Sequence, residues 1–105
     1  MAEPTSETQV IDLLTSMTGE SVLATSLDER TMMMVRIAAL VAIDAPAFSY
    51  QMNLEAAAET GIGATELRGL LTAVAPIVGT ARVMSATGKI AEVIEVEIDR
   101  QLGSS

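Results

Sequence analysis

TARVMSATGKIAEVIEVEIDRQL, residues 80–102, decides the fold class. Its second half alternates Ile94, Val96 and Ile98 with Glu95, Glu97 and Asp99, the period of a strand with one wet face. A longer window reads differently, because Val83, Ala86, Ile90, Val93 and Ile94 follow helical spacing. A lone strand in a chain otherwise helical would leave its backbone donors and acceptors unpaired. The segment is therefore read as helix, and the chain as all-α.

Working back from it, Pro76 and Gly79 interrupt the stripe Leu67, Leu70, Leu71 and Val74, which predicts a break inside APIVGTA. Gly63 is placed to cap that helix, with Glu66 in its first turn. The helix before it ends at Gly61, carries an acidic edge at Glu55 and Glu59, and has Asp44 as its expected N-cap, with Pro46 in the first turn. MMMVRIAALVAI, residues 32–43, has almost no polar side except Arg36 and is expected to be enclosed on nearly every face. Ser26 with Glu29 makes the capping box that should open it. Ser6 with Gln9 makes another, followed by Val10, Leu13, Leu14 and Met17, and Gly19 is expected to end that first helix. About five helices result, in one domain over residues 6–102, with a short arm at 1–5 and a tail at 103–105.

A chain of 105 residues holds one core. Half of the residues are hydrophobic, yet only 2% are aromatic, and mean hydropathy is +0.42. That is more apolar side chain than a small monomer easily hides, so a homo-oligomer is expected. A net charge of -8 repels phosphate, so neither nucleic acid nor an anionic membrane is an expected partner. Without cysteine there is no disulfide, thiolate metal site or thiol mechanism, and without histidine the commonest metal ligand and neutral-pH base are missing. No metal or other cofactor is expected. The polar, acidic opening MAEPTSETQ is unlike a secretory signal, and the longest uncharged run, residues 69–81, is too short to span a bilayer. A cytoplasmic protein is the expectation.

One stripe has the makings of a site. Pro46, Ser49 and Asn53, spaced three and four residues apart, share a helix face, with Tyr50 beside them. Each has a structural alternative: Ser49 bonding back to Ala45, Tyr50 packing, Asn53 bridging helices. Arg36 needs a carboxylate or a ligand. The ATGKI stretch at 86–90 lacks the spacing of a phosphate-binding loop, and the pairs Glu55/Glu59 and Glu92/Glu95 read as solvated faces.

In order and spacing, Leu27-Asp28-x-Arg30-Thr31, the long apolar helix, Glu59-x-Gly61, Glu66-Leu67-Arg68 and Val78-Gly79-Thr80-Ala81 resemble the carboxymuconolactone decarboxylase family, which includes alkyl hydroperoxidase D-like proteins. The resemblance covers roughly Leu27 to Ile90. It implies antiparallel helical hairpins assembled as trimers or hexamers, with sites near subunit contacts. Redox members carry C-x-x-C-x-x-x-H at the start of the third helix, and those positions align with Pro46, Ser49 and Asn53 here; the glutamate one helix earlier aligns with Met33 or Met34. A serine hydroxyl with no adjacent base does not replace redox sulfur, so thiol peroxidase chemistry is excluded. Two readings remain: a helical scaffold or small-molecule binder, and a cysteine-independent decarboxylase or lactone-acting enzyme on a small organic acid. In the second, Ser49, Tyr50 and Asn53 orient the substrate and Arg36 or Arg82 binds its carboxylate.

Overall fold

The computed structural model describes residues 6–103, with side chains described for residues 8–95. Five helices follow one another: α1 (Ser6–Ala24), α2 (Glu29–Ala42), α3 (Ala47–Glu59), α4 (Ala64–Val78) and α5 (Thr80–Gly103). The disputed C-terminal segment is helix throughout, and no strand occurs among the described residues. Gly103 closes α5 instead of opening a tail, and the expected arm at 1–5 lies outside the described residues. None of the described helices is long and apolar enough to cross a membrane.

The packing centres on α2, which meets α3, α4 and α5. Ile37 and Val41 on α2 are fully buried, and Met33, Tyr50, Ala57, Leu70, Ala86 and Ile90 close around them. Enclosure is less complete than the apolar run predicts, since Val35 is 54% and Ile43 69% exposed. No other helix covers that flank.

Helix ends explain most departures from the sequence reading. α1 runs through Gly19 to Ala24 because an interior glycine costs only about 1 kcal/mol against alanine, and the helix formers Glu20, Leu23 and Ala24 follow it. At α2 the cap is Asp28, not Ser26. Its Oδ1 accepts the Thr31 amide at 2.8 Å and its Oδ2 the Thr31 hydroxyl at 3.0 Å, so one carboxylate holds two donors. The amide bond to Thr31 is also the main cause that holds the Asp28 pKa below its ordinary value.

Asp44 does not cap α3. It sits just past α2 with φ 53, in the left-handed region, where the Asp44 amide reaches Val41 O at 3.2 Å and the Ala45 amide reaches Leu40 O at 3.0 Å. This is the Schellman arrangement, with aspartate where glycine is usual. Gly61, at φ 84, ends α3 in the same way, the Ile62 amide bonding Ala57 O. The N-cap of α3 is Pro46, without a side-chain cap bond. Glu66 behaves as expected: its Oε2 accepts the Gly63 amide at 2.9 Å, which lowers its pKa, and it also faces Arg30 at 3.6 Å. Pro76 stays within α4, and the break comes at Gly79, whose φ of 89 turns the chain into α5.

Of the five helices, α1 stands apart. Among the described residues no other helix packs along it, although Arg36 on α2 donates to its Ser21 hydroxyl at 3.1 Å. Val10, Ile11, Leu13, Leu14 and Met17 are each 54–60% exposed. The accessible surface is 7355 Å², against about 5,600 Å² for a compact monomer of this mass. The radius of gyration is 15.5 Å, against about 13 Å for a compact chain of this length.

Because α2 organises the packing, Ile37→Ala should lower the unfolding free energy by about 2–5 kcal/mol in urea titration. A loss below about 1 kcal/mol would show that α2 is not the centre of the core.

Candidate functional site

The stripe on α3 is built by the helix itself. The Asn53 side-chain nitrogen donates to Ser49 O at 2.9 Å, one turn back, so one of its donors is committed to its own helix. Ser49 and Asn53 are half-buried and Pro46 is exposed, in line with a shared edge. Tyr50 points the other way, into the core, and is 1% exposed. Its hydroxyl is buried with no hydrogen-bond partner among the described residues, and burial first, then the charge of Asp44, push the phenol pKa up. A phenol so placed keeps its proton and is a donor, not a base.

The two arginines expected to clamp an anion are turned to protein atoms. Arg36 bonds Ser21 on α1, and Arg82 Nη1 donates to the Ala42 carbonyl at the end of α2. The structure therefore gathers Ser49 and Asn53, sets Tyr50 behind them, and directs Arg36 and Arg82 elsewhere. No group of three or more acidic, cysteine or histidine side chains placed to hold a metal ion occurs among the described residues.

A polar cluster that the sequence reading missed lies between the α2–α3 turn and α5. Asp44 Oδ1 accepts the Ser85 hydroxyl at 2.7 Å and the Lys89 ammonium at 3.0 Å, and Lys89 Nζ also donates to Ala45 O at 2.7 Å. Ser85 and Lys89 stand one turn apart on α5, so both reach the same carboxylate. The Ser85 bond, then Lys89, hold the Asp44 pKa below its ordinary value. In chemical terms this is a clamp that fixes the left-handed turn to α5. The Ser85 and Lys89 bonds hold the Asp44 carboxylate below its ordinary pKa, which makes it a weak base for activating Ser85, and Lys89 bonds the turn through both Asp44 and the Ala45 carbonyl. The i, i+4 spacing of Ser85 and Lys89 was available from the sequence, but their partner was not, because Asp44 reads as a cap.

Two outcomes follow from this geometry. A carboxylate with a depressed pKa stabilises the fold above its unfolded value and loses that contribution as pH falls through the folded value. Asp44→Asn should therefore melt lower than the parent at pH 7, and the gap should close as pH drops below about 3.8, the ordinary Asp value, in a thermal melt series. A gap that persists unchanged at pH 2 would rule out the ion pair as its cause. Tyr50→Phe removes an unpartnered hydroxyl and should leave stability unchanged or raise it by about 1 kcal/mol; a loss above about 1 kcal/mol would reveal a partner for that hydroxyl.

Compared with known proteins, residues 9–92 match the family model described as the carboxymuconolactone decarboxylase family. No curated protein and no solved structure matches the chain significantly. The match spans most of α1 through the middle of α5, which covers the α3 stripe and the clamp alike. With its all-α architecture, this cysteine-free and histidine-free chain belongs to the carboxymuconolactone decarboxylase family.

Proposed function

We propose that the chain works as a homo-oligomeric helical scaffold or small-molecule-binding protein of the cytoplasm, a trimer or hexamer rather than a monomer. One observation carries the reading: α1 shows seven large apolar side chains to water, five of them between Val10 and Met17, and among the described residues no helix packs on it. In proteins most helical stability comes from packing of an apolar face rather than from propensity, and α1 has that face uncovered. Covering the half of each side chain now exposed would contribute roughly 4–8 kcal/mol per arm before the entropy of association.

The state of the α3 stripe supports the scaffold side of this reading. Asn53 gives a hydrogen bond to its own helix, and Arg36 and Arg82 bond Ser21 and the Ala42 carbonyl instead of turning to Ser49. The competing reading, a cysteine-independent decarboxylase or lactone-acting enzyme on a small organic acid, draws on one feature, the unpartnered Tyr50 hydroxyl behind Ser49.

The proposal is tested by sedimentation across a dilution series and by a thermal-shift screen with small mono- and dicarboxylates. An oligomer at micromolar concentration is expected. A ligand that raises the melting temperature in the parent but not in Asn53→Ala identifies the binder; a chain that stays monomeric to hundreds of micromolar overturns the proposal.

A further inference from the structure

A shallow apolar groove of about 180 Å³ runs between α4 and α5. It is walled by Leu67 and Leu71 on one side and Ile90, Ala91 and Ile94 on the other, with Arg68 at its rim. From the geometry of this groove and of α1 we infer that the occupant is α1 of a second copy of the chain, and that copies assemble by exchanging their first helices. The inference rests on the oligomeric reading above and adds which surface meets which.

Length, charge and area support it. The exposed stripe from Val10 to Met17 covers seven residue steps, roughly 10.5 Å of helix. The groove residues run from Ala64 to Leu71 on α4 and from Thr87 to Ile94 on α5, also seven steps on each wall. Leucine, valine and methionine knobs at i, i+3, i+4 and i+7 are what a groove between two helices accepts. Arg68 Nε bonds Ala64 O at 3.4 Å, which leaves the outer guanidinium nitrogens for a carboxylate. Glu20, three residues past Met17, edges the stripe and supplies one. The chain's surface exceeds that of a compact monomer by about 1,700 Å², more than the ~800 Å² per partner of a stable interface. A single arm in a groove this short falls below that figure. Each protomer must therefore give an arm and receive one, in a reciprocal pair or a closed ring.

The absence of native cysteine makes the test direct. The double variant Leu14→Cys/Ala91→Cys, oxidised under mild conditions, should give disulfide-linked dimers and larger species on a non-reducing gel. Leu14→Cys alone and Leu14→Cys/Val35→Cys should give at least tenfold less. Cross-linking by Leu14→Cys alone would mean that arms pair with each other, and preferential linking to Val35→Cys that α1 covers α2; either result overturns the inference. So does an internal disulfide in a monomer. Leu14→Asp should raise the dissociation constant at least tenfold while circular dichroism keeps the helical signal of the remaining bundle. If the parent sediments as an oligomer but the Leu14→Cys/Ala91→Cys pair fails to link, the exchange is wrong and the oligomer stands. A monomeric parent removes both.

Discussion

Covering α2 takes every helix but one. Ile37 and Val41 lie fully buried at the meeting of α3, α4 and α5, and that arrangement uses the apolar faces of those three helices. Within the described chain α1 packs on none of these faces, although it carries an apolar stripe of its own and an apolar groove stays open between α4 and α5. The surplus hydropathy visible in the composition is exposed along α1, from Val10 to Leu23, and at further places such as Val35, Ile43, Phe48 and Ile77. Half of the residues being apolar suits a helix packed by neighbours it does not carry itself.

The same constraint shapes the region where chemistry would sit. The α2–α3 turn must bend tightly for α3 to return along α2. It does so through Asp44 in the left-handed region, and Ser85 and Lys89 hold it there. A carboxylate, a hydroxyl and an amine lie close enough together for catalysis, yet each is spent on fixing a turn. On α3, Ser49 and Asn53 share one edge, and the amide of Asn53 bonds a carbonyl of its own helix. What is conspicuous around the clamp is rigidity rather than a free nucleophile or base.

How far this was legible in the sequence depends on the range of the forces involved. Helical periodicity is local, so five helices were readable, including the C-terminal one whose alternating acids imitate a strand. The Gly63–Glu66 cap was readable for the same reason, since donor and acceptor lie three residues apart. Asp44 reads as an N-cap because an aspartate two residues before a proline fits the start of a helix; its real partners, Ser85 and Lys89, lie 41 and 45 residues away. For Arg36 and Arg82 the sequence leaves a structural and a ligand role open, because nothing in it shows that Ser21 and the Ala42 carbonyl lie within their reach. The Tyr50 orientation, into the core and away from Ser49, is likewise set by packing against α2 and not by spacing along α3.

The central claim is that α1 owes its helix to another molecule, and hydrogen exchange of its backbone amides tests that most directly. Protection across residues 9–24 should be present at high protein concentration and vanish on dilution, while the amides of α2 around Ile37 stay protected throughout. Protection of α1 that does not change with concentration, or its absence at every concentration, would contradict the account.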